Sequence, residues 1–358
     1  LGTDENLEQA AEWFFKAAAK EHKYALYSLG MLYLQGKGVE QDEETAYSLL
    51  FRSYSKGNPY AAYELGKLYA AGCGTEKNQE KSENCYRAAF LGFLNLEKKS
   101  KDDTLWYRIG CMYLHGIGTE ADETKAEHYL TKASDYGNAH ASYQLARLYI
   151  RQESQKLSGE SGTAPDYAKI AKAVKWLEES AAQENLFADY ALGRLYREGT
   201  LVVADMEKAV FHLKRAADAG NSYAQYQLGK IYLEEDTRNI PAAIQYLTLA
   251  AKQKNEFAAY RLGKLYLAGE ELPKNTELAL HYLKMAADTG NQYAQYALGK
   301  VYLIGKDARQ DKERAYDYFL KSAEQGNIYA AYFLEHWNDM PHPDLLLMAT
   351  RLMRHLEH

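Results

Sequence analysis

One glycine, returning at a nearly fixed interval inside a helical pattern, limits what this chain can fold into more than any other feature. It closes a leucine–glycine or isoleucine–glycine step at Gly30, Gly66, Gly110, Gly193, Gly229, Gly263 and Gly299, and Ala146 and Glu335 hold the same place in two further copies. Successive anchors lie 36, 44, 36, 47, 36, 34, 36 and 36 residues apart. A period in this range, with two apolar helical patterns per period, marks a helical solenoid in which each helix pair buries its apolar face against its neighbours. The two long spacings are insertions within a repeat. Asn221 to Gly263 shows the unit plainly: a first helix reading AxYxLGxxY, a polar turn, a second helix reading AxxYLxxAA, and the start of the next copy.

Tyrosines flank the anchor. Tyr27, Tyr63, Tyr107, Tyr143, Tyr190, Tyr226, Tyr260, Tyr296 and Tyr332 stand three residues before it; Tyr33, Tyr69, Tyr113, Tyr149, Tyr196, Tyr232, Tyr266 and Tyr302 stand three after it. On a helix these positions fall about 60° to either side of the glycine, so all three share one face. A glycine inside a helix costs about 1 kcal/mol relative to alanine, so its recurrence implies a compensating gain, and close helix–helix approach supplies one. Small residues at matching places in the second helix, Ala216 with Ala217, Ala250 with Ala251 and Ala286 with Ala287, agree.

At these residues the chain resembles the Sel-1-like repeat, a relative of the tetratricopeptide repeat, over nearly its whole length. The resemblance implies an all-α fold: a right-handed superhelical solenoid of about nine antiparallel helix pairs. It also implies a protein that holds other proteins and has no catalysis of its own. Within residues 1–355, expected to form a single solenoid domain, residues 1–20 read as the second helix of a truncated repeat. Repeats follow over 22–93, 104–150 and 167–337. Residues 94–103 form a charged insertion, expected either to extend a helix or to form an exposed loop. Residues 152–165 read as a mobile serine and glycine loop. Pro341 and Pro343 break the chain before a capping helix over 345–355, and 356–358 resemble a tag remnant. Both ends look cut, as in a fragment of a longer protein.

Other classes find little support. The formal net charge is −6, which argues against a basic nucleic-acid binder as a whole. No apolar run is long enough to cross a membrane. Cys73, Cys85 and Cys111 fit neither a zinc spacing nor a disulfide framework, so a reducing, cytoplasmic environment is expected. The glycine turns at Gly36, Gly72 and Gly116 follow helices where a phosphate-binding loop would follow a strand; they read as left-handed helix ends. The cluster Glu335, His336, Asp339, His342 and Asp344 matches no metal-ligand spacing. No nucleophile motif is present, and no cofactor or metal is expected.

One pattern does suggest a surface. The residue after the anchor is basic in six of eight copies: Lys67, Arg147, Arg194, Lys230, Lys264 and Lys300, with Met31 and Cys111 in the other two. Seven residues earlier on the same face stand Tyr60, His140, Phe187, Tyr223, Phe257 and Tyr293. First helices line the concave side in this repeat class, so the stripe is expected to alternate cations and rings along a groove. Lys67, Arg147, Arg194, Lys230, Lys264 and Lys300, with Tyr60, Tyr223, Phe257 and Tyr293, are the candidate binding residues. Such a groove suits an acidic peptide or helix of a protein partner, or single-stranded DNA. The competing reading has the rings closing repeat junctions and the cations merely solvated.

The segment from Ala331 to Leu356 is similar to the one that closes the repeat region of Mob-class conjugative relaxases of Gram-positive bacteria. That resemblance implies the C-terminal, non-catalytic scaffold of a plasmid or transposon mobilisation relaxase. A generic bacterial adaptor in signalling or stress response is the alternative.

Overall fold

The computed structural model describes residues 6–157 and 164–338. Among them are eighteen α-helices and no strand. The expected capping helix, the tag residues and Asp339, His342 and Asp344 lie outside the described residues. The chain divides into two compact units, Leu1–Asn185 and Leu186–His358.

In the first unit, α1 (Leu7–Ala18) is an unpaired second helix. First helices α2 (Lys23–Gln35), α4 (Pro59–Ala71), α6 (Asp103–His115) and α8 (Ala139–Leu157) then pair with second helices α3 (Glu43–Ser55), α5 (Gln79–Glu97), α7 (Glu123–Asp135) and α9 (Tyr167–Ala182). In the second unit the first helices are α10 (Leu186–Glu198), α12 (Ser222–Ile231), α14 (Glu256–Ala268), α16 (Gln292–Ile304) and α18 (Ile328–Glu335). Their second helices are α11 (Met206–Asp218), α13 (Ile240–Lys252), α15 (Thr276–Asp288) and α17 (Lys312–Glu324).

Capping sets the helix starts. Asp42, Asp122, Asp205 and Asp311 each accept the N–H of the third residue on, as do Asn221, Asn255 and Asn291. Left-handed Gly36, Gly72 and Gly116 end α2, α4 and α6. The anchor glycine does bring the pair together: a Cβ built on Gly229 would lie 2.5 Å from Leu247 Cγ, and one on Gly299 2.7 Å from the Phe319 ring. Ala216, Ala250 and Ala286 are fully buried opposite. The tyrosine three after the anchor packs on the second helix of its own pair, as in Tyr266 on Tyr282 at 6.1 Å and Tyr302 on Tyr318 at 6.0 Å.

Both insertions begin as a helical extension. Of the charged insertion, α5 takes in residues 94–97. Glu97 holds this extension, accepting from Lys132 Nζ at 2.6 Å and from Trp106 Nε1 at 3.3 Å. Lys132 first, then Trp106, keeps its carboxyl below the usual range against burial. Glu97→Ala is expected to cost about 1 kcal/mol, read as a lower urea midpoint, because the pair is partly solvated. The expectation of a loop over 152–165 is corrected for residues 152–157, where α8 runs on to Leu157 with Glu153 fully buried and paired; residues 158–163 lie outside the described residues.

Neighbouring turns are joined differently in the two units. In the first, a second glycine lets the backbone approach the preceding second helix. In the second, that position is the buried Leu201, then Glu271 and Asp307, and ion pairs Arg238–Glu271 and Lys274–Asp307 (2.5 Å) link the later turns. The short 34-residue copy replaces its glycine turn with a 3-10 turn, Glu235–Thr237.

Candidate functional site

All six stripe cations fall where one helical turn puts them, over the tyrosine four residues earlier. Lys67 lies 4.8 Å from the Tyr63 ring centre and Arg147 5.5 Å from Tyr143 in the first unit. In the second, Arg194 lies 6.0 Å from Tyr190, Lys230 5.8 Å from Tyr226, Lys264 5.8 Å from Tyr260 and Lys300 4.5 Å from Tyr296. The partner ring is therefore the tyrosine preceding the anchor, not the ring seven residues back. Contacts of this kind are worth about 0.5–1 kcal/mol at an exposed site.

The ring seven residues back does a different job. It packs on the tyrosine of the preceding first helix: Tyr60 on Tyr27 at 6.0 Å and His140 on Tyr107 at 5.9 Å. The same holds for Tyr223 on Tyr190 (6.3 Å), Phe257 on Tyr226 (5.9 Å) and Tyr293 on Tyr260 (6.1 Å). These rings close repeat junctions, yet Tyr223, Phe257 and Tyr293 remain 56%, 42% and 51% exposed. One side of each ring is spent on packing and the other is open.

The cations differ in what already neutralises them. Lys67 pairs with the buried Glu64 at 2.9 Å, and Arg194 with Glu198 at 2.7 Å. Lys230 is half-buried, and burial, then Arg197, pushes its ammonium below the usual lysine range. Lys264 and Lys300 border a cavity of about 230 Å³ between α14 and α16, floored by Leu267, Val301 and Ile304 and rimmed by Lys306. Asp307 in its wall is engaged by Lys274. A volume below the roughly 300–1,000 Å³ of small-molecule sites fits one apolar side chain with a flanking carboxylate better than a cofactor.

Three groups that pattern reading did not single out carry charge into the interior. Glu153 accepts from Lys156 Nζ at 2.7 Å and from the Asp166 N–H at 2.6 Å. Asp189 is buried on α10 between His212 Nδ1 (2.9 Å) and Arg215 Nη2 (3.4 Å) of α11. Arg108 is held among rings. Arg108 recurs at its repeat position only as Arg261, and the burial and pairing of the three groups are not periodic, so periodicity has no signal for them. Among the described residues no group of three or more histidine, cysteine or acidic side chains is placed to hold a metal. Nor is any helix long and apolar enough to cross a membrane. At the stripe position Cys111 replaces a cation, and burial pushes its thiol up.

The Sel1 repeat model matches residues 1–22, 23–58, 59–91, 107–138, 139–185, 186–221, 222–255, 257–291 and 292–327. Among solved structures, a Sel1 repeat protein from Oxalobacter formigenes is similar at TM-score 0.58 and 24% identity, covering 94% of this chain and 95% of that one. A protective antigen of uropathogenic Escherichia coli with an SLR fold is similar at TM-score 0.58 and 23% identity, covering 95% and 78%. At these identities the likeness speaks to fold alone. No curated protein sequence matches the chain.

Proposed function

The chain belongs to the Sel1 repeat family, and from that membership we propose that it is a non-catalytic scaffold that receives an acidic segment of a protein partner on its first-helix faces. Proteins of this family act as protein-interaction scaffolds. The observation that supports the acidic partner is the cavity between α14 and α16, where Lys264, Lys300 and Lys306 surround an apolar floor. A segment that alternates acidic and apolar residues satisfies both halves of that chemistry. The exposed sides of Tyr293 and Phe257 extend the apolar contact to either side. Within this reading, Lys67, Arg147, Arg194, Lys230, Lys264 and Lys300, with Tyr60, Tyr223, Phe257 and Tyr293, are the contact residues.

The test is fluorescence anisotropy of a labelled Glu-Glu-Leu repeat peptide at low and physiological salt. Saturable binding is expected, weakened at least tenfold in Lys264→Glu/Lys300→Glu, because each reversal replaces an attraction with a repulsion. Absence of peptide binding at low salt overturns the proposal. A labelled single-stranded oligonucleotide that binds instead, with affinity falling steeply with salt, assigns the face to nucleic acid. The finer placement as the C-terminal repeat region of a mobilisation relaxase has its support in the sequence from Ala331 to Leu356, and it predicts that the partner belongs to the transfer machinery. An adaptor in signalling or stress response is the other placement within the same scaffold reading.

A further inference from the structure

Arg108 stands two residues before Gly110 in α6, on the side of the helix that carries the stripe. Its guanidinium carbon lies 5.4 Å from the ring centre of Tyr60, 5.2 Å from Tyr63 and 5.5 Å from Phe93. Its Nε–H is shut off from solvent and meets no acceptor, and among the described residues no hydrogen bond or ion pair reaches the guanidinium. Of the five guanidinium donors only Nε–H is both closed to solvent and unpartnered, so a ligand would reach the fork through its two Nη groups. Rings on its flanks offer a negative face but no lone pair in the plane of the N–H groups.

The clamp is a product of the charged insertion. At other junctions the ring that covers the preceding tyrosine comes from the next first helix; here that position is Thr104. Lengthened α5 supplies Phe93 instead, fully buried, 5.0 Å from Tyr60 and 6.4 Å from Tyr63. The fork of Arg108 is thereby fixed before any ligand arrives, which lowers the ordering cost of binding. In the second unit the residue at the same repeat position, Arg261, is exposed.

We infer that the clamped guanidinium of Arg108 is a recognition point for one carboxylate side chain of an acidic segment from a protein partner. The local charge is mixed. Lys67 and the buried Glu64 pair with each other at 2.9 Å, which leaves Arg108 with no ion pair of its own, while the Asp102 carboxylate acts with it on the Tyr60 ring. Burial raises the Tyr63 phenol, Arg108 pulls it down and Glu64 pushes it up, so both charges act on the same ring. A single carboxylate matches the one charge and the planar fork of the guanidinium in a bidentate pair, whereas a dianionic phosphate brings a second charge. The inference deepens the acidic-partner reading but names a site in the first unit, separate from the lysines of the α14–α16 cavity.

The experiment follows the Arg108 Nε–Hε resonance of the full chain by nitrogen-15 NMR, assigned by its loss in Arg108→Lys. The titrants are the Glu-Glu-Leu repeat peptide, a Gln-Gln-Leu peptide and inorganic phosphate. A saturable shift with the glutamate peptide alone is expected, persisting in Lys264→Glu/Lys300→Glu. Arg108→Met, which keeps the packed stem, is expected to weaken this binding about tenfold without loss of helical circular dichroism. An unchanged Arg108 resonance while the peptide still binds overturns this inference and leaves the scaffold reading standing. A persistent shift in a chain whose cavity lysines make no difference sinks the cavity reading and leaves this one. A larger response to phosphate than to the peptide rejects the carboxylate.

Discussion

Gly118→Ala is expected to destabilise the first unit by about 3–4 kcal/mol, whereas Gly137→Ala, past the far end of α7, costs only about 1 kcal/mol. Both glycines have left-handed backbones, φ 68° and 90°, which an L side chain occupies at a cost of about 1–2 kcal/mol. They differ in what a methyl group would meet. At Gly137 nothing lies within 4 Å. At Gly118 a Cβ would sit 2.3 Å from the Tyr86 carbonyl oxygen and 2.5 Å from its carbon, backbone atoms of α5 in the preceding repeat. Backbone cannot rotate away as a side chain can, so relief requires parting two repeats, and overpacking of this kind adds about 1–3 kcal/mol. Gly38 against Leu7 and Gly74 against Glu43 repeat the arrangement. Urea titration of the two variants side by side checks it; equal midpoints would show that the contact between repeats is not what holds this glycine.

The second large effect falls on Glu153. Glu153→Ala is expected to cost about 3 kcal/mol, because it strands the Asp166 N–H and removes the partner of Lys156 in a site with no solvent access to the carboxylate. The contact ties the end of α8 to the start of α9, so the loss is expected to localise there as faster hydrogen exchange in both helices. Burial pushes the carboxyl up, but the Asp166 N–H and the Lys156 ammonium outweigh it and hold it below the usual range. The sign follows from linkage. A depressed folded-state value contributes stability that is fully present above the unfolded value of about 4.3, and that is lost as pH falls through the folded one. Wild type and Glu153→Gln are therefore expected to converge in stability below about pH 4. A gap that stays constant down to pH 3 would show that the charge of Glu153 is not what stabilises the junction.

The candidate face was legible in part, and the division follows from range. Lys300 and Tyr296 are four residues apart on one helix, so their contact follows from helical geometry alone, although the stripe was first paired with the ring seven residues back. Tyr293 on Tyr260 and Phe257 on Tyr226 join different repeats, and only packing reveals them. Arg108 and Glu153 were invisible because each depends on an insertion that breaks the period. Phe93 is in place only because α5 runs on, and Glu153 is buried only because α8 does. The second glycine of each turn was read as part of a helix end; in the fold it is a contact with the repeat before.

Everything that recurs was legible from sequence alone: the all-α class, the succession of helix pairs, the anchor glycines, the capping asparagines and aspartates, and the cations one turn from their tyrosines. These rest on interactions within about four residues or within one period, and a repeated pattern reports them many times over. The exceptions were settled by packing between distant segments. Whether an inserted segment loops out or lengthens a helix depends on whether a distant surface can bury Phe93 or satisfy Glu153. That balance of burial against desolvation is set by residues about 30 or more positions away in the chain, or across a turn, whose placement no local period encodes.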